Sequence, residues 1–251
     1  MSKLLLEISC ASAADALLAQ AAGADRIELC SSLFLGGLTP SAGEILLARA
    51  VLRIPFVVMI RPRRGGFCYS DAEFATMQRD VEFAIENGAA GVVLGTLRAD
   101  GTVNVHRCKH LKALAQAGEL VLHRAFDTVS DPFRALDESI DLGFTRVLTS
   151  GQRPTAVEGA DILTRLVEHA KDRIQILPAG GIRPYNVEEL IRRTGCDQVH
   201  LAPLKIVRDS QVRDGRAASL KFGAETAPPQ SEHEVIDVAL VEEMSRILKQ
   251  F

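Results

Sequence analysis

The sequence lacks the paired cysteines that hold small secreted domains together. Its five cysteines are an odd number, they are widely scattered, and no two of them form a CxxC motif. Disulfide frameworks need paired cysteines and occur mostly in short secreted chains. The pattern therefore favours free thiols in a reducing compartment.

Basic runs, a signal peptide and membrane-length apolar stretches are also missing. The net charge is -3 and the charges are interspersed, which argues against nucleic acid or an anionic membrane as the main partner. Glu7 interrupts the N-terminal apolar run before the hydrophobic region of a signal peptide could form. No apolar stretch approaches the length of a membrane span. These absences predict a soluble cytoplasmic protein.

What the sequence does contain is a regular alternation of apolar strands and helices. Four segments share a helix-ending glycine, a few small or polar residues and then a strand, and their glycines are Gly23, Gly88, Gly143 and Gly195. They lie roughly 50–65 residues apart, the length of a repeated βαβα unit. With the segments between them, they predict eight strands and eight helices.

Eight such pairs in 251 residues, 47% of them hydrophobic, predict an α/β protein. The predicted architecture is a (β/α)8 TIM barrel that forms a single domain over residues 1–251. A doubly wound open sheet is the alternative, but the segment after strand one, Cys10-Ala-Ser-Ala, is not its usual GxGxxG turn. Residues 204–231 are polar and aperiodic and predict a loop, and residues 234–250 predict a closing helix.

One predicted strand begins apolar and ends charged. Glu119-Leu-Val-Leu is followed by His123-Arg-Ala-Phe-Asp127, so the far end must be paired or solvated. In a barrel, alternate strand residues point inward and the others pack on helices. This parity predicts that His123 and Asp127 lie inside, and that Arg124 and Phe126 face away.

The same parity sends ionisable side chains from several strands toward one interior. Most of them come late in their strands, at the end where barrel enzymes have their active sites. Groups that share such a cavity perturb one another's pKa values. The predicted catalytic residues are Glu7, Glu28, Arg61, His123, Asp127 and His200, and parity adds Cys30, Met59 and Thr149.

Each of these residues also has a structural explanation when it is considered alone. Glu7 or Glu28 can form a structural bridge with Arg61 or Arg26, and His123 can be a hydrogen-bonded core residue. Asp127 can anchor a loop, and the hydroxyl of Thr149 can cap the turn after its strand. The convergence of many such groups is the stronger indication, and it favours a functional pocket.

Two loops at the strand ends have the composition of anion sites. Gly180-Gly181 follows strand seven and precedes a helix predicted to begin at Pro184, and such turns often bind phosphate in this fold. With Thr149, these two glycines are the predicted cofactor-binding residues. Arg61-Pro-Arg63-Arg64 follows strand three. Both loops can equally be plain turns.

Seven motifs occur in series along the chain. They are Gly23-Ala-Asp-Arg-Ile-Glu28-Leu-Cys30, Gly36-Gly-Leu-Thr-Pro-Ser41, Met59-Ile-Arg61-Pro-Arg63, Tyr69-Ser-Asp71, His123-Arg-Ala-Phe-Asp127, Leu148-Thr-Ser-Gly-Gln152 and Glu158-Gly159. Together they resemble the CutC copper-homeostasis family over residues 4–202. The resemblance implies a TIM barrel, a cytoplasmic homo-oligomer and a link to copper, but no established reaction. Leu201-Ala-Pro203 departs from the small residues usual there.

Copper binding and acid/base catalysis are the two functions left open. Cu(I) prefers thiolate and thioether ligands, and Cys30 and Met59 are the soft side chains near the ring of ionisable groups. Carboxylate, imidazole and guanidinium groups suit acid/base chemistry on a small anionic metabolite, a phosphate or a carboxylate, with Arg61 as the anion anchor. The sequence does not decide whether the protein is an enzyme.

Overall fold

Eight parallel strands form the inner sheet of the protein. The computed structural model describes residues 4–208 and 231–251. The strands are β1 (Leu5–Cys10), β2 (Arg26–Leu29), β3 (Phe56–Met59), β4 (Gly91–Leu94), β5 (Glu119–Leu122), β6 (Arg146–Thr149), β7 (Gln175–Pro178) and β8 (Gln198–Leu201). The helices are α1 (Ala13–Ala21), α2 (Ala42–Val51), α3 (Asp71–Glu86), α4 (Val105–Ala115), α5 (Pro132–Asp141), α6 (Ala160–Ala170), α7 (Val187–Thr194) and α8 (Val238–Leu248).

The strands pair in sequence order and the sheet closes on itself. Strands β1 to β7 are consecutive neighbours, and β8 pairs with the other side of β1. A parallel bridge between Ala179 and His200 joins β7 to β8. Sequential order and closure exclude the doubly wound sheet and confirm the (β/α)8 TIM barrel.

Strand parity divides the core into two layers. Outward residues such as Leu6, Ile8 and Val58 pack against the helices. A separate inner cluster contains Val57, Met59, Val93, Val121, Leu148, Leu177, Ala179 and Cys30. The predicted inward directions of β1, β2, β3 and β8 agree with this division. On β6 the inner residue is Leu148, so the inward direction predicted for Thr149 is wrong.

The charged end of strand five is not a strand. Strand β5 ends at Leu122, and Arg124–Thr128 form a 3₁₀ helix whose N-cap is His123. The His123 ring accepts the Ala125 N–H at 3.2 Å, which turns the chain out of the extended conformation. Alternation therefore stops at His123. Arg124 faces the cavity, contrary to the prediction, whereas Phe126 is buried as expected of an outward residue.

The segment predicted as a loop contains part of a hairpin. Strands β9 (Leu204–Arg208) and β10 (Glu232–Ile236) pair antiparallel, and residues 209–230 of the predicted loop lie outside the described residues. Helix α8 begins at Val238 rather than at 234, because the Ile236 N–H is bound by the Asp15 carboxylate of α1. Tertiary contact thus overrides the helical pattern at this point.

Two helices begin later than their sequence signals predict. Thr155-Ala-Val-Glu158 has the sequence of a capping box, which predicts a helix start at Thr155. Thr155 Oγ1 accepts the Glu158 N–H and donates to the Glu158 carboxylate, yet α6 begins only at Ala160. Pro184 is not the first residue of α7, which begins at Val187. The Asn186 side chain accepts the Arg183 N–H and donates to the Gly181 carbonyl, so a turn separates Gly181 from the helix. None of the described helices is both long and apolar enough to cross a membrane.

Candidate functional site

A cavity of about 480 Å³ opens at the carboxyl ends of the strands. Its charged and polar lining consists of Ser9, Glu28, Arg61, His123, Arg124, Asp127, Thr128, Arg183 and His200. Met59, Phe67, Leu148 and the Gly180–Gly181 turn supply apolar and backbone surface. This is the position at which barrel enzymes bind their substrates.

Most of the predicted site residues meet in this cavity, and three lie behind its wall. Glu7, Cys30 and Thr149 do not line the cavity, but each contacts a residue that does. Sequence reasoning missed Phe67, Arg124 and Arg183 as cavity residues. Arg124 would have been found if the 3₁₀ turn after His123 had been recognised, whereas Phe67 lies in a loop without periodicity.

Glu7 and His200 form the buried base of the site. The Glu7 Oε1 and His200 Nδ1 atoms are 2.8 Å apart, and Arg26 Nε donates to Glu7 Oε2. Arg26 also donates to Gln198 Oε1 at 2.9 Å. The structural explanation of Glu7 as a bridge to Arg26 therefore holds. Because both of its oxygens are engaged, Glu7 positions His200 rather than reaching the cavity.

Two neighbouring glutamates have opposite electrostatic environments. Burial alone would raise the pKa of Glu7, but the His200 hydrogen bond and the charge of Arg26 lower it to about 2. Burial raises the pKa of Glu28, and the negative charge of Glu7 adds to the effect. Such a separation of paired carboxyl groups is typical of acid/base sites.

Glu28 is the carboxyl group best placed to exchange a proton with a ligand. Its Oε2 accepts hydrogen bonds from Ser9 Oγ at 2.8 Å and from Cys30 Sγ at 3.4 Å. Its Oε1 is buried and has no partner among the described residues. His200 Nε2 lies 3.7 Å from Glu28 Oε2, and the charges of Glu28 and Glu7 raise the pKa of His200 despite its burial.

Arg61 brings a positive charge to the cavity wall. Its Nη1 donates to the carbonyls of Leu35 and Gly37 at 3.0 and 2.9 Å, and its Nη2 donates to that of Gly65 at 3.2 Å. Within the described residues, no carboxylate pairs with it and its Nε has no acceptor. A guanidinium held by neutral carbonyls keeps its charge for an anionic ligand.

Asp127 organises the loop around β6. It accepts hydrogen bonds from the Thr149 hydroxyl at 2.5 Å and the Ser150 N–H at 3.0 Å, and it pairs with Arg124 at 2.7 Å. A carboxylate with this many donors is a loop anchor, which was one of the two explanations open for Asp127. It also holds Arg124 at the cavity.

The Gly180–Gly181 turn forms one side of the cavity without the predicted helix terminus behind it. Both residues have positive φ, +97° and +69°. A Cβ on Gly180 would lie 3.4 Å from Arg124 Nη1, and one on Gly181 would lie 2.9 Å from Thr155 Cγ2. Glycine is needed here for conformation and for space. The turn brings backbone close to a guanidinium that faces the cavity.

The donor set fits a metal ion only in part. Glu7, Glu28 and His200 offer ligand atoms within 4.8 Å of one another, but Glu7 is paired with Arg26, which leaves two donors. Cys30 Sγ and Met59 Cε approach one point beside Gly37, 3.3 and 3.6 Å from an ideal Cβ there. Burial and Glu28 raise the pKa of the Cys30 thiol, whereas Cu(I) binds the thiolate.

Comparison with known proteins agrees with the barrel and its series of motifs. The model of the CutC family matches residues 4–204. The chain is 47% identical to the family protein CutC of Treponema denticola, over 99% of both chains. It is 40% identical to the human copper homeostasis protein cutC homolog, over 98% of this chain and 89% of the relative.

A solved structure is similar in fold as well. The crystal structure of CutC from Streptococcus agalactiae superposes with a TM-score of 0.76 and 35% identity. The superposition covers 78% of this chain and 97% of that chain. The protein described here belongs to the CutC family.

Proposed function

We propose that the cavity binds a small anionic metabolite and transfers a proton to or from it. The observation that carries this proposal is Glu28, a buried carboxyl group that lines the cavity, has a raised pKa and has one oxygen without a partner among the described residues. A raised pKa brings a carboxyl group closer to the pH range in which it can donate a proton as a general acid and then accept one as a base.

His200 is the second proton carrier in this proposal. Its Nδ1 is engaged by the ionised Glu7, which leaves Nε2 facing Glu28 at 3.7 Å. This separation is too long for a hydrogen bond. A ligand oxygen beside both groups, at hydrogen-bond distance from each, would bridge them, so that a proton leaving Glu28 could be replaced from His200.

The charge of the cavity wall supports an anionic ligand. Arg61, Arg124 and Arg183 line it, and within the described residues only Arg124 of the three pairs with a cavity carboxylate, that of Asp127. Guanidinium groups bind carboxylates and phosphates through paired hydrogen bonds. The cavity volume of about 480 Å³ suits a metabolite rather than a polymer.

The experiment is a thermal-shift screen of phosphorylated and carboxylated metabolites, with incubation of each stabilising compound in D₂O. We expect stabilisation of the wild type, loss of stabilisation in Arg61→Ala, and an unchanged shift in the control Arg64→Ala, whose side chain is exposed on the same loop. Deuterium incorporation should occur with wild type and disappear in Glu28→Gln. A screen in which no anion stabilises the wild type would refute the proposal.

Direct binding of Cu(I) is the second candidate, in accord with the copper link of the relatives' names. It is favoured by the presence of two soft side chains beside Gly37, those of Cys30 and Met59, although the Met59 atom nearest that point is the methyl carbon and not the sulfur. Because the thiol must lose its proton, affinity should increase with pH. Titration with Cu(I) under reducing conditions should show binding that Cys30→Ser abolishes, and absence of uptake by the wild type contradicts it.

The cellular setting in this proposal is a reducing cytoplasm, and the partner is a second copy of the chain. All five cysteines are free, as a reducing compartment requires.

Four leucines of the neighbouring helices α1 and α2 are at least 42% exposed and form a candidate contact surface: Leu17, Leu18, Leu46 and Leu47. Light scattering should show an oligomer that Leu47→Glu dissociates; a monomeric wild type would exclude self-association.

A further inference from the structure

The two nitrogens of the His123 imidazole differ in their surroundings: Nδ1 accepts a hydrogen bond, and Nε2 has no partner among the described residues. Nδ1 accepts the Ala125 N–H at 3.2 Å, so this nitrogen carries a lone pair and no proton. In a neutral imidazole one nitrogen is the acceptor and the other carries the hydrogen. The proton is therefore on Nε2, which is buried and has no acceptor among the described residues.

The ring remains neutral because its surroundings oppose a positive charge. His123 is 3% exposed, and burial together with the nearby charge of Arg61 lowers its pKa to about 3. Protonation would also place a hydrogen on Nδ1, where it would face the Ala125 N–H. Over the pH range in which proteins work, the His123 ring therefore stays neutral, with its hydrogen on Nε2.

Packing holds the ring in one orientation. The centroid of the Phe67 ring lies 4.8 Å from that of the His123 ring, and the Arg61 guanidinium lies over the same Phe67 ring at 5.4 Å from its centroid. Gly95 provides the space, because a Cβ there would lie 2.8 Å from His123 Cε1 and 2.9 Å from Nδ1. With the Ala125 hydrogen bond, these contacts orient Nε2 without any ligand.

We propose that His123 is a fixed hydrogen-bond donor, whose Nε2–H binds an oxygen of the ligand and stabilises negative charge that develops there. The inference rests on the proposed function and deepens it, because it assigns one hydrogen-bond donor of the cavity to an oxygen of the anionic ligand. Glu28 and His200 exchange the proton, and His123 polarises the oxygen. A preoriented neutral donor of this kind contributes by electrostatic stabilisation, without reorganisation during the reaction.

The tautomer is tested first, on the whole unliganded protein. Nitrogen-15 histidine NMR, with the His123 signals assigned by their absence in His123→Gln, should show a hydrogen on Nε2 and none on Nδ1. The signals should not change between about pH 5 and pH 8. A hydrogen on Nδ1, or a ring that titrates in this range, would overturn the proposal whether or not the cavity binds an anion.

The donor role is tested by calorimetry with 2-phosphoglycolate, which has a phosphate and a carboxylate. His123→Leu removes the donor and should weaken binding by about tenfold, the effect of one hydrogen bond. His123→Gln places an amide donor near the position of Nε2 and should retain more affinity than His123→Leu. Equal affinity of His123→Leu and wild type would overturn the donor role. If the wild type does not bind 2-phosphoglycolate, the result counts against the proposed anion site. The nitrogen-15 NMR spectrum still decides the tautomer of His123 in that case.

Discussion

Removal of Arg26 from its ion pair with Glu7 should strongly destabilise the barrel, because a carboxylate without this partner would remain buried. Both side chains are almost fully buried, 5% and 1% exposed. The pKa of Glu7 falls from 4.5 to about 2 on folding. Because the His200 hydrogen bond and the charge of Arg26 together outweigh burial, the ionised form of Glu7 is favoured in the folded state. Arg26→Met removes the charge while it keeps much of the side-chain volume.

We expect Arg26→Met to lower the free energy of unfolding at pH 7 by about 3–5 kcal/mol, because it leaves a buried carboxylate with one partner fewer. The sign of the pH dependence follows from the direction of the pKa change. Glu7 stabilises the wild type above pH 4.5, and this contribution is lost as the pH falls toward 2. In the variant Glu7 protonates more readily, so the deficit should be smaller at pH 4 than at pH 7.

The assay is urea unfolding of wild type and variants at both pH values. Arg134→Met is the matched control, because its pair with Glu138 is exposed and should contribute no more than about 0.5 kcal/mol. The double variant Arg26→Met, Glu7→Gln should lose less stability than Arg26→Met alone. A deficit below about 1 kcal/mol, or one that is equal at pH 4 and pH 7, would refute this reasoning.

Three further predictions concern the cavity and the thiols. Gly95→Ala should lower stability by about 1–3 kcal/mol because its Cβ meets the His123 ring, whereas Gly66→Ala, with no atom within 4 Å, should change it little; urea unfolding distinguishes them. Glu28→Gln should be more stable than the wild type at pH 7 but not at pH 4. The pKa of Glu28 is higher in the folded state, so ionisation destabilises the fold only above the pKa of the unfolded state. A stability difference that is the same at pH 4 and pH 7 would contradict this. A thiol reagent should label one cysteine of the native protein, Cys68, and Cys68→Ser should abolish rapid labelling; reaction of a buried thiol would show local opening.

The strand and helix periods in the sequence were sufficient to predict the barrel. Parity correctly directed Glu7, Glu28 and His200 inward, because a strand with one face on helices must alternate. Parity failed at Arg124, because the His123 side chain accepts the backbone N–H two residues further on and ends the strand before it. It failed again on β6, where Leu148 and not Thr149 is the inward residue.

The ends of the elements were harder to predict because their partners lie far along the chain. Helix α8 starts late because Asp15, 221 residues before Ile236, binds the backbone there. The predicted phosphate turn lost its helix terminus because Asn186 closes a turn with Arg183 and Gly181. No local pattern contains such contacts, so the boundaries follow only from tertiary packing.

The sequence by itself determined the layers of the barrel and the set of polar side chains inside it, since periods of 2 and 3.6 residues are local properties. Only the tertiary structure decided what each polar group does. Glu7 and Glu28 are the same residue type on neighbouring strands, yet Arg26 binds Glu7, whereas one oxygen of Glu28 has no partner in the described part of the chain. The two histidines differ for the same reason. Burial and Arg61 lower the pKa of His123, whereas Glu28 and Glu7 raise that of His200, and the closed barrel brings these groups together.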